Sequence, residues 1–190
     1  MGLVQEKDWN GAIKANSIYC YKQMVGHGFS AAAASGAIGN MLQENNMQTD
    51  ISPAGVGIGQ WTPESKAYTQ GARIGLTPTQ VKTLAGQVKM VCNADKIGQW
   101  QVPSNWDSSL TFSDFKKISS VSKATEAWLY HFEIADATAA LLVNRQANAK
   151  LVYEKCHTLG GDSGTDLPSG TVTTEIDYLN MDIFRKKGLI

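Results

Sequence analysis

Glu44 closes the run SAAAASGAIGNMLQEN, which reads as one helix opening at a Ser30 cap. At roughly 100° per residue, Ala31, Ala34, Ile38, Met41 and Leu42 share an apolar arc, with Glu44 at its border in the last turn. Partial burial at such a place favours a protonated carboxyl, and the partial negative charge of a helix C-terminus acts the same way. A glutamic acid that keeps its proton near neutrality is a general acid, the group that glycoside cleavage requires. The competing reading is a solvated glutamate at a frayed helix end. Gly36 and Gly39 interrupt the same helix at about 1 kcal/mol each against alanine, so a backbone or a ligand is expected to pack closely there.

Around this helix the pattern is mostly helical. Residues 9–27 carry Trp9, Ile13, Ile18, Tyr21 and Met24 at mostly three-to-four spacing, with Gly26 and Gly28 as a stop. After a polar stretch from Asn45 to Ala54, GVGIGQWT mixes strand and turn residues and predicts a small hairpin. Pro63 opens a helix through Tyr68 to Arg73, and Thr77-Pro78-Thr79-Gln80 has capping-box spacing. The segment that box opens runs on through Val81, Leu84, Val88 and Val91. A Trp-rich loop spans 98–110, and a short helix begins at 110–115. Ser122 is the expected cap of a helix through Trp128 and Phe132, and Asp136 of a last one through Leu141 to Tyr153. The fold class predicted is mainly α (α+β), and the lack of strand–helix alternation rules against a parallel sheet.

The chain has 190 residues with 17 basic and 17 acidic side chains, a formal net charge of zero. That balance argues against binding a nucleic acid by phosphate neutralisation. No apolar run has the length of a membrane span, and the charged start MGLVQEKDWNGAIKANS shows no secretory signal. Cys20, Cys92 and Cys156 are scattered and fit neither a disulfide framework nor a zinc site, so they read as small buried hydrophobes. His27 and His131 read as structural, and the neighbours Cys156 and His157 cannot readily share one metal. GVGIG lacks the strand–helix surroundings of a nucleotide fingerprint. No metal and no organic cofactor is expected. The length suits one domain over residues 1–158, a Gly/Ser/Asp/Pro linker over 159–171 and an extension over 172–190 that either docks or begins a further domain.

Taken in order, GAIGNMLQEN and then SPAGVGIGQWTPES resemble lysozyme-like peptidoglycan-cleaving domains, in particular the phage tail lysozymes. They are also similar to lytic transglycosylases and goose-type lysozymes, in which a helix ends in the catalytic glutamate and a Ser-x-x-Gly, Gly-x-x-Gln hairpin follows. The matching elements are Glu44-Asn45, Ser52-Pro53-Ala54-Gly55 and Gly57-Ile58-Gly59-Gln60. LTFSDFKKISSVSKATEAWLYHFEIA is similar to the family's later helices, and the likeness runs over about residues 9–158.

The resemblance implies a helical domain with a small hairpin beside an active-site cleft and Glu44 as proton donor. Its substrate would be bacterial peptidoglycan, cut at the β-1,4 bond between N-acetylmuramic acid and N-acetylglucosamine. Gln60 would contact sugar hydroxyl or N-acetyl groups, Trp61 would offer a flat face to a sugar or else pack in the core, and Thr62 would add a hydroxyl. For the second carboxylate, Asp50 lies in the polar loop and Glu133 matches the glutamate of a later Tyr-Glu-Arg-Pro-like signature, which here reads Phe132-Glu133-Ile134-Ala135. On an ideal helical wheel Glu133 shares a face with Glu126 that favours solvent, but Leu129 and Tyr130 blur that face and leave an inward Glu133 open. The setting implied is a phage tail, with other tail proteins as partners and local wall opening for DNA passage; conjugation machinery is the alternative setting. Lytic transglycosylase chemistry and a non-catalytic glycan-binding tail module are the functional alternatives.

Overall fold

In the computed structural model every residue of the helix Ala31–Asn45 is buried except Ala31 and Glu44. This helix, α2, is the axis around which the others pack. The structure describes residues 3–52, 56–104, 106–134 and 139–159, with side chains omitted at 139 and 140. The elements are a 3-10 turn Glu6–Asp8, then α1 (Gly11–Gly26), α2, α3 (Glu64–Ala72), α4 (Pro78–Val81), α5 (Leu84–Cys92), α6 (Phe112–Phe115) and α7 (Val121–Trp128). A π-helical turn, Leu129–Glu133, continues α7, and α8 (Ala139–Cys156) closes the described chain. Among the described residues no helix is long and apolar enough to cross a membrane.

Small residues let α2 sit at the centre. A Cβ on Gly36 would fall 2.7 Å from the backbone of Ala124 and Thr125 in α7, and one on Gly39 would fall 2.6 Å from the Ala149 backbone in α8. Both glycines therefore mark close helix crossings, as their cost in a helix predicted. Full burial of Ile38, Met41 and Leu42 on the same helix contributes about 1.5–3 kcal/mol for each side chain. Ser30 caps the helix as expected, accepting from the Ala33 N–H at 2.9 Å. The second half of the core is aromatic: Trp100 packs against Phe112, Phe115 and Trp128, and Trp128 stacks on Phe132 at 4.0 Å.

Several sequence expectations need correction. The hairpin is not formed as a ladder; among the described residues only one antiparallel bridge, Ile51 to Val56, is present. Instead of strand pairing, side chains hold this loop: Asn45 donates to the Gln48 and Gly57 carbonyls, Gln87 donates to Thr49 O, and Asn16 donates to Met47 O. The helix expected from Thr77 to Val91 is broken, because Thr83 accepts from the Gly86 N–H and caps a new helix, α5. The Thr77–Gln80 capping box itself is present. Ser120 caps α7 in place of Ser122, with its side chain accepting from the Lys123 N–H. Cys20, Cys92 and Cys156 are buried free thiols. Asp136, the linker from residue 160 on and the extension 172–190 lie outside the described residues.

Candidate active site

Glu44 sits in the last turn of α2, where the helix reaches the surface, with its side chain 27% exposed. Its partner comes from 101 residues later: Arg145 of α8, itself 4% exposed, donates through Nη2 to Glu44 Oε1. The guanidinium also donates through Nη1 to Asn40 Oδ1 at 3.0 Å, one turn earlier on α2. Asn40 in turn donates to the carbonyls of Gly36 at 2.9 Å and Thr125 at 3.0 Å. A buried polar chain therefore runs from α7 through α2 to α8 and ends on the Glu44 carboxylate. Glu44 is the anionic partner of an ion pair, an arrangement the helix-end argument from sequence did not include. Arg145 was missed because its partners are remote in sequence. The available signal was local: Asn40 and Glu44 lie four apart on a helix otherwise made of small and apolar residues, and buried polar groups need partners.

The second carboxyl group is Glu133, at the end of the π-turn. Trp128 Nε1 donates to Glu133 Oε1 at 3.2 Å. In a regular helix, residues five apart point about 140° from each other, whereas i to i+5 bonding brings them to nearly the same side. The π-turn thus rotates Glu133 off the solvated face of the ideal wheel and in toward Trp128. Burial raises its pKa to about 8, assisted by the negative charge of Glu44 and opposed by Arg145, the Trp128 hydrogen bond and Lys66. At neutral pH Glu133 keeps its proton.

Lys66 approaches from α3, where it is half-buried; burial lowers its pKa and the Glu133 charge raises it. Gln70, one turn on, donates to Gln99 Oε1 at 3.1 Å, and Gln99 donates to the Phe132 carbonyl at 2.6 Å. This relay ties the Lys66 face of α3 to the π-turn. His131 fastens the same turn from the other side, with Nδ1 at 2.6 Å from Gln101 O and Nε2 at 3.0 Å from Ser104 Oγ. The turn that carries Glu133 is therefore held by side chains from two directions.

The remaining predicted site residues divide. Asp50 is exposed, accepts from Ser52 Oγ at 2.9 Å, and is not among the charges that act on Glu133. Gln60 is half-buried with φ 51°, a left-handed conformation unusual for a residue with a side chain. Thr62 is exposed. Trp61 is fully buried and a Cβ on Gly59 would strike its ring, so no face of this indole is open to a sugar and core packing is its place here. The structure brings together Glu44 and Glu133, with Arg145 and Lys66.

Two acid groups, one ion-paired and one kept neutral, can supply a proton and a negative charge to the same substrate. A family described as phage tail lysozyme matches residues 15–156 of the chain. No curated protein and no solved structure matches it.

Proposed function

Because the chain belongs to the phage tail lysozyme family, whose role is lysozyme-like degradation of peptidoglycan, we propose that it is a muramidase. It hydrolyses the β-1,4 bond between N-acetylmuramic acid and N-acetylglucosamine, with residues 1–158 as the cleaving domain. The observation that supports this reading best is the carboxyl pair: Glu133 protonated at neutrality beside the ion-paired Glu44. Carboxyl groups that act on each other can pass a proton between them, and Glu133 holds one at neutral pH. Glu44, at the helix end where the resemblance puts the acid, is the member that delivers it to the glycosidic oxygen. The other carboxyl group faces the positive charge that develops on the sugar in the oxocarbenium-like transition state. Gln60 and Thr62, on the loop next to the site, contact the sugar substituents. In the virion this activity opens the wall locally at the tail; the family match gives the conjugation alternative no support.

A second assignment of roles is favoured by the high proton affinity of Glu133. In it Glu133 is the donor, and Glu44, ion-paired with Arg145, is the stabilising carboxylate. Glu44→Gln and Glu133→Gln separate the two. If Glu44 donates, Glu44→Gln lowers the release of soluble muropeptides by about 10²–10⁴-fold, while Glu133→Gln retains part of the rate with a shifted pH profile. If Glu133 donates, the order of severity is reversed. Two folded variants that both clear purified walls at the wild-type rate would remove the proposal. Mass spectrometry of the products separates hydrolysis, which leaves reducing ends, from lytic transglycosylase chemistry, which leaves 1,6-anhydro ends; binding without turnover would mean a non-catalytic module.

A further inference from the structure

Of the five tryptophans, Trp9, Trp61, Trp100 and Trp128 are buried, and only Trp106 is partly open to solvent. It lies on the loop between α5 and α6, whose residues Gln101 and Ser104 hold the π-turn. Its ring is parallel to that of Tyr130, with centroids 6.3 Å apart and planes 5° apart. Tyr130 is also half-buried, and its hydroxyl has no hydrogen-bond partner among the described residues. Tyr130 belongs to the π-turn and precedes Glu133 by three residues.

The loop is fixed to that turn. Gln101 N donates to His131 O at 2.8 Å, and the Ser104 hydroxyl meets His131 Nε2 and receives the Trp106 and Asp107 N–H groups. Asp107 Oδ1 accepts from the N–H groups of Ser109 and Leu110, and Trp100 Nε1 donates to Leu110 O at 3.1 Å. The Trp106 ring meets the edge of His131 at 6.1 Å, and His131 stacks on buried Trp100 at 4.8 Å. A half-exposed aromatic pair is thereby held rigid at little entropic cost on binding, next to the turn that carries a site carboxyl.

We propose that Trp106 and Tyr130 form an outlying sugar subsite that takes an N-acetylhexosamine ring of the glycan strand. This rests on the muramidase reading for its substrate class. The apolar C–H face of a pyranose lies on the aromatic surface, and the Tyr130 hydroxyl bonds to a sugar hydroxyl or acetamido group. The site extends the cleft along the strand and serves binding, not chemistry.

The test uses the β-1,4-linked tetramer of N-acetylglucosamine as probe and titration calorimetry as readout, which reports binding equally in variants that lack the Trp106 indole. The expected result is a saturable heat of binding in wild type that Trp106→Ala abolishes. Trp106→Ala and Tyr130→Ala should each raise KM for solubilised glycan strands, Trp106→Ala by about tenfold, with kcat within about twofold. Trp106→Phe, which keeps an aromatic face, should recover most of the binding, a result that a purely structural role for Trp106 does not give. Binding that survives in folded Trp106→Ala, or an unchanged KM, overturns the proposal. Wild-type protein that binds the tetramer through Trp106 but cuts no glycan leaves the subsite standing and removes the muramidase reading.

Discussion

Replacing Glu133 by glutamine keeps the shape of the side chain and removes its ionisation. In the folded protein this carboxyl is raised from an ordinary 4.5 to about 8. A raised carboxyl pKa means that the folded state binds the proton more tightly than the unfolded chain does. Its stabilising contribution is complete below about 4.5 and is lost as pH rises through about 8. For a full shift of that size, linkage gives a loss of at most about 4 kcal/mol between about pH 5 and about pH 9. The carboxyl retains some solvent contact, and its neighbours, Glu44 on α2, Arg145 on α8 and Lys66 on α3, can rearrange around a new charge. The realised loss is therefore about 1–3 kcal/mol. Urea denaturation of wild type and Glu133→Gln at both pH values measures it as a double difference, in which the other titrating groups cancel. Wild type should lose stability relative to the variant as pH rises. Two curves that stay parallel from acid to alkaline pH would refute the claim that this carboxyl is buried beside a like charge.

Other outcomes follow from the same geometry. Arg145→Met leaves Glu44 and the Asn40 carbonyl oxygen without their cation and should cost about 3 kcal/mol, read as a lower denaturation midpoint. Gly39→Ala drives a methyl group into the Ala149 backbone and should destabilise by about 1–3 kcal/mol, seen by calorimetry as a lower Tm. Thr77→Ala removes the α4 capping box at an exposed site, for a loss of about 1 kcal/mol with no change in wall clearing.

The central polar chain has a consequence for how the site is built. Glu44 lies where one helix emerges from the core, but its ion-pair partner Arg145 comes from another helix, and Arg145 is aimed by Asn40, which also holds Thr125 of a third. A disturbance where α2 and α7 cross, as at Gly36, therefore reaches the carboxylate through three hydrogen bonds.

Much of this was legible locally. Ser30 and Thr77 cap helices because a short polar side chain can reach an orphan N–H within its own turn, and sequence states this directly. Gly36 and Gly39 advertised close packing because nothing else explains a glycine in the middle of a helix. Glu44 was legible as the one polar exit from a buried helix. By contrast, the hairpin expected after Glu44 reduced to one bridge, since its turn residues are held by Asn45 and Gln87 side chains, contacts that no periodicity records. Trp61 matched a sugar-facing position in the motif yet is wholly buried, because whether an aromatic ring packs or faces solvent depends on what lies above it.

The chain's own order of residues settled the Ser30 and Thr77 caps, its family and the candidate at the end of α2, all of which depend on neighbours a few positions apart. That Glu133 is buried beside Glu44 came only with the tertiary structure. A π-turn rotates Glu133 inward, and helices distant in sequence bring Arg145 and Lys66 to the same place. Electrostatics acts through space and burial, so the proton affinity of a side chain is a property of the assembled fold.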